Sequence, residues 1–244
     1  MTSRRSTRSR VIPGDMKLGL NIDTSTPEKL MNSWIKASRM STALSDRCAV
    51  GKRIGTASAA GQLFEHPSHK NRVIKVIFGP LNGKNGRETL ENVHKEFAMG
   101  ELIHSLGIGG KFYKMNMCGT SAHMTLERFQ GTLGEFIENP KKFGVKVKHL
   151  KAAALQIKRL IKKLHKYGLY HGDIHLNNFM FNKTPTGFKW YLIDFGFVHT
   201  KNRPINRVSY MNKESQYARN GPLMVSDFLR YISRSKLGDN AHTS

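Results

Sequence analysis

Apolar positions change period several times along the chain, and each change marks an element. In residues 147–166, Leu150, Ala154, Ile157, Ile161 and Leu164 recur at intervals of four and three. That spacing predicts a helix with one apolar stripe, its other faces taken by Lys151, Lys158, Lys162, Lys163 and Lys166. Gly168 ends it. "RETLENVHKEFAMGELIHSLG" places Leu90, Val93, Phe97, Leu102, Ile103 and Leu106 near the same period and closes on Gly107, which predicts a second helix. A third is expected within 27–46, around Leu30, Trp34 and Ile35, where Pro27 suits a first helical turn. The period shortens to that of strands in "AVGKRIGTASAAGQLFEH", "NRVIKVIF" and "AHMTLERF", and again in "NFMF" and "WYLID" on either side of the turn "NKTPTG". "GTLGEFIENP" is expected as a short helix or turn ended by Pro140.

A chain of 244 residues can form one large domain or two lobes sharing a cleft. No stretch approaches the roughly 20 apolar residues of a membrane helix, and the N-terminus lacks the apolar core of a secretory signal. The expectation is a soluble intracellular protein with no membrane partner. Cys48 and Cys118 stand at no metal-like spacing, fit a reducing compartment, and are expected as buried thiols. Charge changes the picture more. Forty Lys and Arg against 17 Asp and Glu give +23, a positive field that calls for a polyanion or an acidic partner, with solubility as the plainer reading. The opening "MTSRRSTRSRVIPG" reads as a disordered basic arm over 1–26, suited to nucleic acid, to an import signal, or to plain solvation.

The remaining polar residues carry chemistry. Transfer of a γ-phosphoryl group needs a lysine on the phosphates, carboxylate and amide oxygens on Mg²⁺, and a carboxylate beside the attacking hydroxyl. "HGDIHLNN" has the spacing H-x-D-x-x-x-x-N, with Asp173 placed to take or orient the hydroxyl proton and Asn178 to bind metal. "LIDFG" supplies Asp194, a hard carboxylate suited to Mg²⁺. "VIK" puts Lys75 on an expected strand.

In this order these motifs resemble the eukaryotic-like protein kinase superfamily, over about Val50 to Arg234. The resemblance implies an α+β, two-lobed protein-kinase-like fold: a small β-sheet N-lobe with one helix over 27–126, a reduced and mainly helical C-lobe over 127–236, and a tail over 237–244. It implies ATP and Mg²⁺ as cofactors. Glu96 is the candidate partner of Lys75, with Glu91 and Glu101 as rivals. "MTLERFQGTL" resembles the hinge, with Leu126 at the gatekeeper position and the backbones of Glu127 and Phe129 on the adenine edge. Gly55, Gly61 and Leu63 resemble the phosphate-covering loop, although Ala57 or Ser58 replaces its middle glycine.

Other departures narrow the subclass. The loop reads His-Gly-Asp-Ile-His, without the arginine and lysine of ordinary Ser/Thr kinases, a form similar to aminoglycoside and choline phosphotransferases and to the small kinase of the tRNA-threonylcarbamoyl complex. His175 is expected either near the transferred phosphate or bracing the loop, and His171 in a structural role. After Gly196 only a short segment remains, in which "PLMVSDFLRYISRS" is expected as a helix whose Asp227 ties down the catalytic loop. The expectation is a minimal Ser/Thr protein kinase, with a large DNA virus as one source, located in cytoplasm, nucleus or virion and acting on acidic or nucleic-acid-associated proteins. A small-molecule phosphotransferase and a pseudokinase that binds nucleic acid or a partner stay open as alternatives.

Overall fold

The computed structural model describes residues 22–41, 43–44, 48–58, 61–82 and 89–201. Its upper half is a six-stranded sheet in the order β1-β5-β6-β4-β3-β2. These strands are β1 (Ala43–Leu44), β2 (Arg53–Ser58), β3 (Gly61–Glu65), β4 (Arg72–Ile77), β5 (Phe112–Cys118) and β6 (Ser121–Glu127). All neighbours are antiparallel except β1, which runs parallel to β5. In β4 the β-branched Val73, Ile74, Val76 and Ile77 are buried, as a central strand covered on both faces requires.

Helix α1 (Pro27–Ser41) precedes the sheet, and α2 (Leu90–Ser105) lies against it. The Thr89 hydroxyl accepts the Asn92 N–H at 3.1 Å, satisfying one free donor at the start of α2. A compact cluster of Ile77, Val93, Phe97, Met115, Ala122 and Met124 seals α2 to the sheet.

The lower half is built on α5 (Val147–Lys166), with β7 (Gly131–Thr132), α3 (Leu133–Glu138) and α4 (Pro140–Phe143) before it. After it come β8 (Leu169–Tyr170), β9 (Phe179–Thr184), β10 (Gly187–Leu192) and β11 (His199–Thr200). Phe136 is fully buried, its ring centroid 5.2 Å from Phe181, 4.9 Å from Phe188 and 5.0 Å from Trp190. Gln156 of α5 holds β10 at two points, donating to the Phe188 carbonyl at 2.9 Å and accepting the Trp190 N–H at 3.3 Å. The halves share one core through Leu106, Ile108, Leu192 and Phe195, and the Leu192 N–H donates to the Ile108 carbonyl at 3.1 Å.

The periodicity places α2, α5, β4 and the β9–β10 hairpin correctly. Strand β5 has no counterpart among the sequence-based expectations: its residues are mostly half-buried, so "FYKMNMC" shows little alternation. The two cysteines require a correction, because Cys48 and Cys118 form a disulfide with Cα atoms 5.7 Å apart. Seventy residues separate them in sequence, and only the pairing of β1 alongside β5 at the sheet edge brings them together. Residues 22–26 form the turn that caps α1, with the Lys29 N–H on the Thr26 hydroxyl at 3.2 Å. The rest of the expected basic arm, the expected helix around Asp227 and the tail lie outside the described residues. Among the described residues no helix is long and apolar enough to cross a membrane.

Since Phe136 centres the aromatic cluster beneath the site, Phe136→Ala is expected to cost ~3–5 kcal/mol. The shift of the chemical-denaturation midpoint at constant slope checks this.

Candidate active site

Lys75 leaves the middle of β4, where Leu63 on β3 and Met124 on β6 are its cross-strand partners. Its Nζ lies 2.6 Å from Glu96 Oε1, with both side chains largely withdrawn from water at 13% and 12% exposure. Glu96 is thus the carboxylate that meets Lys75. The rival Glu101 sits elsewhere on α2, and burial pushes its carboxyl up to about 7.

The loop from His171 to Asn178 is held at several points. His171 is buried, and its Nε2–H donates to the Ile193 carbonyl at 2.8 Å while Nδ1 accepts the Asp173 N–H at 3.3 Å. Burial lowers its pKa against the raising effects of the Ile193 carbonyl, Asp194 and Asp173, so this imidazole is a neutral strut. Asn178 Nδ2 donates to the Asp173 carbonyl at 2.8 Å and to Asp173 Oδ2 at 3.2 Å. With its NH₂ so occupied, the amide oxygen of Asn178 faces the other way as a neutral hard donor.

His175 caps the short 3-10 turn Leu176–Asn178, its Nδ1 accepting the Asn177 N–H at 3.2 Å, and its Nε2 lies 3.5 Å from Asp173 Oδ2. Burial alone would raise the Asp173 pKa, but hydrogen bonding and charge from His175, with help from His171 and Asn178, hold it below the usual carboxylate range. Asp173 is therefore an anion at neutral pH that can accept a hydrogen bond from a hydroxyl. His175 thus braces the loop, the second of the two roles expected for it, and also touches the Asp173 carboxylate.

Asp194 follows β10 with φ of 65°, a left-handed conformation uncommon outside glycine. The Ile193 N–H donates to the Asn178 carbonyl at 3.0 Å, so the two oxygen donors expected at a metal are tied through adjacent backbone. Phe195 behind them is fully buried. A run of rings joins α2 to this loop: Phe97 to Phe112 at 5.7 Å, Phe112 to Phe195 at 6.0 Å and Phe195 to His171 at 5.8 Å. Glu96 and Asp194 each sit one residue before a ring of that run, so packed rings connect α2 to the loop.

At the hinge, the side chain of Leu126 packs on the cluster beneath α2. The Glu127 N–H donates to the Lys111 carbonyl at 2.8 Å, that of Arg128 to Asn71 at 3.0 Å and that of Gln130 to Phe181 at 3.0 Å. The Phe129 N–H makes no such bond among the described residues, which leaves it for a ligand edge. The Glu127 carboxylate takes the Lys111 N–H at 2.9 Å and the Asn182 amide at 3.1 Å, pinning the hinge from below.

Gly55 has φ of 63° with open space where a side chain would stand, a conformation that lets backbone approach a phosphate. Gly61 is different: a Cβ there would lie 2.5 Å from the Val76 carbonyl oxygen, so this glycine lets β3 pack on β4. Residues 59–60 at the hairpin tip lie outside the described residues. Leu63 is 37% exposed beside Lys75, placed to cover a flat apolar ring.

A divalent cation fits these donors only in part. Asn178 and Asp194 offer hard oxygens suited to Mg²⁺, yet no group of three His, Cys, Asp or Glu side chains could hold an ion by itself among the described residues. The remaining ligands would come from nucleotide phosphates and water, as Mg²⁺ sites of this kind use.

The family described as the protein kinase domain matches residues 49–218. No curated protein matches the chain. A solved crystal structure of a kinase domain aligns at 18% identity and a TM-score of 0.49, covering 65% of this chain, which spans about half (53%) of that structure's length.

Glu101→Gln tests the electrostatics of α2. A carboxyl raised from its ordinary 4.5 to about 7 favours the folded state while protonated, a contribution complete below 4.5 and lost as pH rises through 7. The neutral variant is expected to melt higher than wild type at pH 8, by about 1 kcal/mol once screening by nearby water is allowed for, and to match it at pH 4. Thermal melts across pH check the sign.

Proposed function

This chain belongs to the protein kinase domain family, and on that premise we propose that it is a compact Mg²⁺/ATP-dependent kinase that phosphorylates serine or threonine hydroxyls of proteins. The observation that carries this reading is the joint presence of the Lys75–Glu96 pair at 2.6 Å and an anionic Asp173 bonded to Asn178. Lys75, Glu96, Asp173, Asn178 and Asp194 are all present, which favours an enzyme over a pseudokinase.

Lys75 would contact the phosphates with its ammonium oriented by Glu96. Phe129 N–H would bind the adenine edge, with Glu127 contributing its backbone and Leu63 and Leu126 bounding the ring. Gly55 would let the backbone of β2 approach the phosphates, while Gly61 keeps β3 packed on β4. Asn178 and Asp194 would hold the Mg²⁺ that neutralises phosphate charge when the nucleotide is bound. Asp173 would accept a hydrogen bond from the substrate hydroxyl, aim its oxygen along the line of transfer, and take up its proton as the new bond forms. His175 stabilises the Asp173 anion in that position.

Within the family, the His-Gly-Asp-Ile-His loop favours an atypical kinase resembling that of the tRNA-threonylcarbamoyl complex, and the basic charge balance favours a large DNA virus as the source. A net charge of +23, with exposed Lys148, Lys158, Arg159, Lys162 and Lys163 on α5, favours acidic or nucleic-acid-bound protein substrates.

Transfer from labelled ATP with Mg²⁺ to casein, a basic protein and a panel of aminoglycosides tests the reading. Labelled casein is expected, with kcat reduced at least ~100-fold in Asp173→Asn, Asp194→Asn and Lys75→Met. The KM for casein should rise between 50 and 300 mM salt as the positive surface is screened. Labelled sugars instead of protein, or transfer undiminished in Asp173→Asn, would contradict it.

A further inference from the structure

Helix α1 lies before the residues that match the kinase family, and the reaction gives it no role. It is nonetheless built into the core: Leu30 and Ala37 are buried, and Met31, Trp34 and Ile35 pack against the large apolar cluster. Its position follows from α2. By helical spacing Val93, Phe97 and Gly100 share the face turned to the sheet, whereas Ala98 and Leu102 point nearly opposite. On an isolated kinase core that second face would meet water. Here Ala98 and Leu102 are fully buried. The elements packed most extensively on α2 are α1 and β5. Since β5 belongs to the sheet side, α1 is the cover, and α2 is sandwiched between α1 and the sheet.

Both ends of α1 are anchored, each to a different half of the molecule. At the N-terminal end Pro27 presses on Gly168, where a Cβ would lie 2.5 Å from the Pro27 ring. Gly168 joins α5 to β8 and so stands three residues before His171 of the catalytic loop. Beyond the C-terminal end β1 pairs with Asn116 and Met117 of β5, and the next anchor is covalent, from Cys48 to Cys118. For α2 to swing out and part Glu96 from Lys75, α1 would have to leave with its buried side chains or break one anchor.

We propose that α1 is an intramolecular brace that keeps α2 where Glu96 meets Lys75, and that the Cys48–Cys118 disulfide makes the brace responsive to dithiol reductants. This rests on the kinase reading above. In the redox step a thiolate of the dithiol attacks one protein sulfur, and its second thiol resolves the mixed disulfide. Two electrons pass to the protein, both cysteines end as thiols, and the reductant leaves as a disulfide. Among the described residues the freed end then keeps the two-residue pairing of β1 with β5 and, past Cys48, the Gly51 N–H on the Glu65 carbonyl at 2.8 Å.

The test uses the full chain, oxidised and after dithiothreitol treatment, with four variants: Cys48→Ser/Cys118→Ser, Leu30→Ala, Glu96→Gln, and Leu30→Ala with Glu96→Gln. Reduction and Leu30→Ala are each expected to lower kcat/KM for ATP about tenfold, the range of an ordinary coupling between sites. The double cysteine variant should sit at the lower value and ignore reductant. In the Glu96→Gln background both effects should nearly vanish, because they act through that carboxylate. Equal losses with and without Glu96 would make α1 a structural element only, and a wild type indifferent to reductant would remove the redox device. Hydrogen exchange supplies a readout independent of turnover. Amides of residues 90–105 should exchange about tenfold faster after reduction and in Leu30→Ala, while those of α5 stay protected. Unchanged exchange in α2 would overturn the brace even if the chain transferred no phosphate, whereas faster exchange without turnover would count against the kinase reading alone.

Discussion

Two side chains largely withdrawn from water, a lysine from the sheet and a glutamate from the helix laid across it, organise this molecule. The Lys75–Glu96 contact at 2.6 Å contributes little net stability, because removing both charges from water offsets most of their attraction. Its effect is on position. An uncompensated ammonium or carboxylate in that setting is costly, so the pair fixes the rotation and height of α2 relative to β4. The ring of Phe97, next in sequence to Glu96, carries that placement through Phe112 and Phe195 to His171. One ion pair thereby fixes α2 against the sheet, and the rings continue from it to the loop that carries Asp173.

The lower half meets this constraint with hydrogen bonds. Neutral His171, held between the Ile193 carbonyl and the Asp173 N–H, fixes the loop from behind. Asn178 spends its amide hydrogens on Asp173 and keeps its oxygen outward. The same contacts that order the loop also keep Asp173 ionised, so folding and chemistry are served by a single network. Asp194 has a left-handed backbone conformation, and Phe195, the residue after it, is fully buried.

Much of this was legible in the sequence. Strong periodicity gave α2 and α5, because a helix buried on one face must repeat near 3.6 residues. Motif spacing put Lys75, Asp173, Asn178 and Asp194 in the order of a phosphoryl-transfer site, and Glu96 led its rivals Glu91 and Glu101 until the 2.6 Å contact with Lys75 separated them. What stayed hidden depends on tertiary pairing. Strand β5 is half-buried at most positions and carries no clean alternation. The disulfide follows from a parallel strand pair at a sheet edge, which neither cysteine's local sequence announces. The amphipathic pattern of α1 was visible, but nothing in it named α2 as its partner. The double role of His175 required the actual distances to Asp173 and Asn177.

The central claim is that the two halves present one nucleotide site with the lysine above and the two metal-binding oxygens below. A crystal structure of the full chain with Mg²⁺ and a non-hydrolysable ATP analogue tests it most directly. The account predicts phosphate oxygens within hydrogen-bond distance of Lys75 Nζ, the ion touching Asn178 Oδ1 and Asp194, and the adenine edge on the Phe129 N–H. A nucleotide bound outside the cleft, or one in the cleft whose ion ignores both Asn178 and Asp194, would contradict it.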